Sequence, residues 1–470
     1  MEERGKTFEE IRSMYDESTK LWAAREFGNA ELGDSRRTNR LVLIAEGLAS
    51  NIGGAVSLCC GKMGAQLVSN FFNQEEVTVS SVLEPHIQET AKRCAGVARV
   101  FALQDTTTLN YSTHNALGGR GPIGAKAFDD GFIMHTVMAV TPDRTPLGVL
   151  GLNIWARNKE EHGKRERSRT RPIEEKESFK WLWGLMQAEA ALPEDTPVVV
   201  IGDRESDLFA LFACERRANT DILVRCCYNR SIHEESGYLF KALDRAAELG
   251  IYRIKIPRRE NAPAREAVMK VSLAKVRINP PRERTVEKYV GPVVLTCVWV
   301  KEIDAPDGVA PVDWKLLTTL KVESFDDAVY AIKAYSCRWV IEEFHRVLKS
   351  GCKIERMQFE TPERLFPAIA VLSVVAWRVL YLSKFGRENP EGPASLVSEP
   401  IEREVLGRWL RSQKDKSYII VTVKDFVRGV AKLGGFMGRK SDGNPGTKVL
   451  WQGLRRLEDL VAGFILANIS

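Results

Sequence analysis

Two apolar runs in this 470-residue chain each lead to an aspartate. Val100-Phe101-Ala102-Leu103-Gln104 precedes Asp105, and Val198-Val199-Val200-Ile201-Gly202 precedes Asp203. Short aliphatic and β-branched runs of this kind read as strands buried on both faces. Similar patterns predict strands at 98–105, 132–141, 146–154, 197–203 and 221–226. A helix is expected around Glu177 to Ala191 and another from near Asp207. An antiparallel start followed by alternating strands and helices predicts a mixed α/β sheet. Strand ends are where such sheets place functional side chains, so Asp105 and Asp203 are the first candidates. Each has a plainer reading: Asp203 as the cap of the following helix, Asp105 as a turn former before Thr106-Thr107-Thr108.

Composition narrows the alternatives. A net charge of +6 is mildly basic, compatible with nucleic acid but shared by many enzymes. No apolar run is expected to approach the roughly 20 residues of a membrane span. Met1 to Lys20 is charged and lacks the apolar stretch of a signal peptide, so a cytoplasmic location is expected. The nine cysteines include no CxxC, and the pairs Cys59-Cys60 and Cys226-Cys227 have poor geometry for chelation or a disulfide. They read as reduced thiols. The six histidines show no zinc-like spacing. The Gly-rich turn ends Gly124-Ala125-Lys126, without the Gly-Lys-Ser/Thr of a phosphate loop, which argues against nucleotide hydrolysis.

The flanks differ from the centre. Residues 1–78 look helical, and Arg36, Arg37 and Arg40 give them a cationic face suited to phosphates, or merely a solvated one. Asp34 is placed to cap that helix. The catalytic domain is expected over 79–386, with an antiparallel β insertion at about 230–321, where β-branched runs alternate with charged, Pro-rich loops. The loop 156–172 is charged and mostly basic. Residues 387–400 resemble a linker, and 387–470 form a helical C-terminal domain.

A third carboxylate lies on a helix expected from Ser324 to Ser350. At about 100° per residue, Tyr335, Arg338, Glu342 and Lys349 share one stripe, opposite Val340, Ile341, Phe344, Val347 and Leu348. Glu342 offers hard oxygens, Arg338 a bidentate phosphate grip, Lys349 a point charge and Tyr335 a hydrogen bond or a stacking face. An ordinary surface stripe with an Arg338–Glu342 pair would look the same.

Taken together, these blocks resemble the bacterial cut-and-paste DDE transposases of the insertion-sequence-four family, in the branch of transposon five. The resemblance runs from about Trp22 to Phe464. It rests on Leu32-Gly33-Asp34-Ser35-Arg36-Arg37-Thr38, Asp105-Thr106-Thr107, Asp203-Arg204-Glu205-Ser206-Asp207, the spacing of Tyr335, Arg338, Glu342 and Lys349, and Leu433-Gly434-Gly435-Phe436-Met437. It implies a ribonuclease-H-like mixed sheet with a β insertion, an N-terminal helical domain that reads transposon-end DNA, and a C-terminal helical domain for dimerisation. It implies that Asp105, Asp203 and Glu342 bind two Mg²⁺ ions, with Mn²⁺ as a substitute. It implies excision of a mobile element through a hairpin at its end, joining to double-stranded target DNA, and a homodimer in the synaptic complex. Trp314 matches the tryptophan on which a flipped base stacks, and Arg225 matches a DNA-contacting arginine. The loop 156–172 is basic where the family's is acidic, so its contacts do not carry over. Ser206 stands where the family has Ala, a change expected to be tolerated. A catalytically silent, domesticated DNA-binding derivative is the alternative, and a nuclease that cuts without joining is a third.

Overall fold

The computed structural model describes residues 22–50, 64–124, 129–160, 171–235, 237–256, 265–281, 291–413, 419–439 and 442–469. Its centre is one sheet made of β1 (Val100–Asn110), β2 (Gly121–Pro122), β3 (Asp130–Val140), β4 (Pro146–Trp155), β5 (Val198–Gly202), β6 (Thr220–Arg225), β7 (Ala247–Ile256), β8 (Arg265–Ile278), β9 (Val293–Ile303) and β10 (Asp313–Thr318). The order is β2-β3-β1-β5-β6-β10-β9-β8-β7, with β4 also paired to β3. β1, β5 and β6 run parallel, and β1, β3 and β4 are antiparallel. The β insertion continues this sheet through an antiparallel β10–β6 ladder. Together with the helices described below, this is a ribonuclease-H-like fold.

Alternation along the strands divides the core in two. Phe101, Leu103, Val199, Ile201 and Leu223 face one side. Val100, Ala102, Val198, Val200, Ile222 and Val224 face the other. Because the side-chain period is two, every second residue beyond these points stays on its own side.

Before the sheet come α1 (Trp22–Phe27), α2 (Ser35–Ser50), α3 (Gly64–Phe72) and α4 (Val79–Cys94). Helical structure continues past the expected boundary at residue 78: α4 starts there on a capping box formed by Thr78 and Ser81. α5 (Lys180–Ala191) covers the second face, with Trp181 and Leu185 in its core. Two short helices, α6 (Phe209–Ala213) and α7 (Leu239–Asp244), follow β5 and β6.

The helix expected from Ser324 to Ser350 is broken. α8 (Phe325–Ser336) and α9 (Trp339–Arg346) are separated at Cys337–Arg338, and a π-turn, Val347–Gly351, closes the run. At the break Arg338 N donates to Tyr335 O (3.0 Å) and Val340 N to Cys337 O (2.9 Å), the tighter i→i+3 pattern. β1 differs from expectation in the opposite way: it runs past Asp105 to Asn110. Thr106, Thr107 and Thr108 are β-branched and keep pairing with β3 as far as Asn110↔Gly131.

α10 (Pro362–Glu388) corrects the expectation about apolar runs. It is long and apolar enough to cross a membrane, yet 89% of its apolar window is buried inside the protein. It is a core helix packed on β4, on α2, α3 and α4, and on α12 (Val423–Leu433) and α13 (Thr447–Ile469), and it reaches α11 (Pro400–Ser412) through a side chain. Its Arg378 is buried, donating to Glu402 Oε1 (2.6 Å) and Glu458 Oε1 (2.9 Å), with Trp22 under its guanidinium at 4.8 Å. One side chain thus ties α1, α10, α11 and α13 together. Arg378→Ala would leave the buried Glu402 and the half-buried Glu458 without their shared partner. It should cost about 3 kcal/mol or more, read as a lower denaturant midpoint. A loss below about 1 kcal/mol would contradict this role.

Candidate active site

Register brings the two aspartates together. The parallel ladders align Leu103 with Ile201 and Ile201 with Leu223. Two residues further on come Asp105, Asp203 and Arg225, on the same face and at the same end of the sheet. Asp105 lies inside β1 but just beyond its parallel ladder with β5, so the sheet is open beside it. Leu316 of β10 pairs with Arg225, and Leu316 faces the same core as Leu103. Trp314, two residues from Leu316, therefore shares this face.

Gly202 and Ser206 shape the turn after β5. A side chain on Gly202 would meet Ser206 Oγ at 2.3 Å. Ser206 Oγ donates to Asp203 O (2.6 Å), so the hydroxyl is satisfied. Asp203 Oδ1 accepts from Glu205 N (2.8 Å), so Asp203 does cap the short helix that follows. Asp207, expected only to start a helix, is fully buried. It accepts from Cys227 N (2.7 Å), Tyr228 N (3.1 Å) and Arg230 Nε (2.9 Å), pinning the loop after Arg225 to the strand end that carries Asp203. Its place as the last acid of the 203–207 block was the only sequence signal for this.

α9 supplies the third acid. Val340, Ile341 and Phe344 bury against the Leu103 side of the sheet and turn Glu342 toward the aspartates. Arg338 spans the group: Nη2 donates to Glu342 Oε1 (2.5 Å), and Nη1 lies 3.7 Å from Asp105 Oδ2. The surface salt bridge read as the plain alternative thus exists, but it is half-buried inside the acid cluster. Glu343 points elsewhere, to Lys384 (2.7 Å).

Burial pushes Asp105 up to about 7 against the pull of Arg338, with Asp203 and Glu342 adding to the rise. Burial also raises Asp203. Burial opposes the charge on Arg338, but Tyr335, Glu342 and Asp105 outweigh it and hold the guanidinium above its ordinary value. His345, in the motif but given no role from sequence, sits 3.9 Å from Asp105 Oδ2 and 3.1 Å from Thr136 Oγ1. Burial and Lys349 lower it to about 3, so its imidazole is neutral.

The remaining predicted contacts surround this centre. Tyr335 is 4% exposed and meets Trp314 edge-on at 5.6 Å, so both rings are partly spent on packing. Burial raises Tyr335 while Arg338 and Arg225 oppose it, which places its hydroxyl between the two guanidiniums. Arg225 also donates to Asp313 O (3.1 Å). Lys349, on the π-turn, donates to Thr108 O (2.8 Å) and faces Glu355 (3.3 Å). Far from this end, Asp34 Oδ1 accepts from Arg36 N (2.8 Å) and caps α2 as expected. Arg40 is exposed, Arg36 is exposed but paired with Asp34 (3.0 Å), and Arg37 is held by Glu76 (2.6 Å) and Leu32 O (2.9 Å). The cationic face is smaller than the sequence suggested. Most of the basic loop 156–172, and Lys126, lie outside the described residues.

The donor set suits a divalent cation. Three carboxylates meet in partial burial, and Asp203 and Glu342 add to the cost of ionising Asp105, an excess of negative charge that oxygen-seeking ions satisfy. Among the described residues no three His, Cys, Asp or Glu side chains are gathered tightly enough to grip an ion as they stand. Arg338 supplies the counter-charge in this arrangement.

A ribonuclease-H-like sheet with acids from its first strand, its central strand and a following helix defines the DDE class of nucleic-acid enzymes. Three family models agree with it: Transposase DNA-binding over residues 19–77, Transposase DDE domain over 152–377, and Transposase Tn5 dimerisation domain over 374–469. The chain belongs to the Tn5-like DDE transposases. Asp203 and Glu342 fall within the matched segments and Asp105 between them. Among solved structures, the chain is similar to a piggyBac transposase synaptic complex with hairpin DNA, at 9% identity and a TM-score of 0.31. That match covers 82% of this chain, and the chain spans 63% of the piggyBac chain.

The raised Asp105 makes a signed prediction. Its contribution to stability is full below the ordinary aspartate range and lost as pH rises through about 7. At about pH 8 the metal-free fold carries the buried charge at a cost of about 4 kcal/mol. Asp105→Asn should therefore raise the melting temperature of metal-free protein at about pH 8, and much less at about pH 5. An equal effect at both would contradict the burial of this charge.

Proposed function

We propose that this chain is a cut-and-paste DNA transposase that acts on the double-stranded ends of a mobile element and joins them to target DNA. The observation that carries the reading is the row of Asp105, Asp203 and Glu342 at one sheet end, bordered by Arg225, Arg338, Lys349 and Tyr335. Asp105, Asp203 and Glu342 are the residues to hold two Mg²⁺ ions, or Mn²⁺ in their place. Such a pair, when bound, lowers the pKa of water and stabilises the leaving oxygen of an in-line displacement.

The protein's own groups do the rest. Arg338 grips a phosphate bidentately and Lys349 neutralises a second. Tyr335, between Arg225 and Arg338, orients both guanidiniums toward the strand. Water adds to phosphorus at the element's end and a 3′ hydroxyl departs. That hydroxyl attacks the opposite strand, displacing the flanking DNA and closing a hairpin. A second water opens the hairpin, and the two 3′ ends attack target phosphodiesters. Trp314 receives the base flipped out at the hairpin. Arg36 and Arg40 contact the backbone of the end, and the C-terminal helices pair two copies in the synaptic complex. The setting is the cytoplasm of a bacterium, at its nucleoid.

Glu342→Gln keeps the side chain's shape and removes a charge. It should bind end DNA within about twofold of wild type in a gel-shift assay and show no cleavage; normal cleavage would sink the assignment. Trp314→Ala should slow hairpin closure on the order of tenfold more than the first nick, since stacking one base is worth about 1–3 kcal/mol. Equal slowing of both steps would remove base stacking from this residue.

A further inference from the structure

Arg338 is placed for charge more than for hydrogen bonding. Its side chain is 11% exposed and reaches two of the acids, Glu342 Oε1 at 2.5 Å and Asp105 Oδ2 at 3.7 Å. Its Nε is sealed from solvent with no hydrogen-bond partner. A buried donor left unpaired is costly, so the carboxylates, with the Tyr335 hydroxyl beside them, hold the guanidinium in a pose that leaves one donor unmet. Arg338 touches the same oxygens that a cation would need. It also stands at the break between α8 and α9, where its own N–H makes the tighter i→i+3 bond to Tyr335 O.

We propose that Arg338 is an internal counter-ion that competes with divalent metal for Glu342 and Asp105, and that a DNA phosphate releases the acids by drawing its guanidinium away. The inference rests on the metal site of the proposed function. A phosphate offers the planar guanidinium a bidentate partner and satisfies more of its donors than the present pose does. Metal binding and DNA binding are therefore positively linked. By thermodynamic reciprocity each raises the other's affinity by the same factor. The chain off DNA holds metal weakly, which keeps its hydrolytic centre unassembled until an end is bound.

The test is Mn²⁺ binding to the full chain, read from the electron paramagnetic resonance of free Mn²⁺ and independent of turnover. It is measured without DNA and with a pre-cleaved duplex of the element's own end, 3′-deoxy so that no reaction proceeds. Wild type should bind Mn²⁺ on the order of tenfold more tightly with the duplex. Arg338→Gln should reach that affinity without DNA and gain nothing further from it. Arg338→Lys, which keeps the charge but loses the fork, should fall between the two. Arg338→Gln binding no tighter than DNA-free wild type would overturn the proposal, as would Arg338→Lys binding tighter than Arg338→Gln. The double variant Arg338→Gln/Asp203→Asn separates the two levels of the argument. Loss of Mn²⁺ there keeps the ion at the three acids. Undiminished binding there would remove the metal site itself, and the competition with it.

Discussion

Like charge gathered in a half-buried place is the constraint around which this molecule is arranged. Asp105, Asp203 and Glu342 repel one another, and burial makes the two aspartates harder to ionise. Nothing in a sheet's own packing requires three acids at one end. The surroundings answer that charge with Arg338 between the acids and Arg225 and Lys349 around them. The result is a centre that costs stability in the metal-free fold, as sites built for chemistry commonly do.

The fold holds the acids by register. Apolar residues two positions earlier, Leu103, Ile201 and Leu223, align across the parallel ladders and lock which face Asp105, Asp203 and Arg225 occupy. A one-residue slip would turn all three to the opposite face. α9 adds Glu342 by burying Val340, Ile341 and Phe344 on the same side. Asp207 fastens the loop after Arg225, and α10 joins the helical flanks to the sheet. Sheet, helix and loop therefore converge on one end of the molecule.

Much of this was legible in the sequence because it depends on local pattern. Buried parallel strands need aliphatic runs, and Val100–Leu103 and Val198–Ile201 announce them. The polar stripe of Tyr335, Arg338 and Glu342 and its apolar opposite follow from helical periodicity. What escaped depends on partners far along the chain. β1 extends past Asp105 because β3 pairs with its threonines. Arg37 leaves the cationic face because Glu76 claims it. Asp207 is buried because the loop at 227–230 brings donors to it. The break at Cys337–Arg338 has no Pro or Gly to mark it, and α10 was missed as an apolar helix because charged and proline residues punctuate its first turns.

The most direct test of a single metal centre shared by the three acids is iron-directed backbone cleavage. Fe²⁺ replaces the native ion on the DNA-bound protein, and hydroxyl radicals generated with ascorbate and peroxide cut the chain beside the bound iron. Cuts are expected near residues 105, 203 and 342 together, and all should vanish in Asp203→Asn. Cuts confined to one of these segments, or unchanged in the variant, would contradict a shared centre and leave the three carboxylates without a common task.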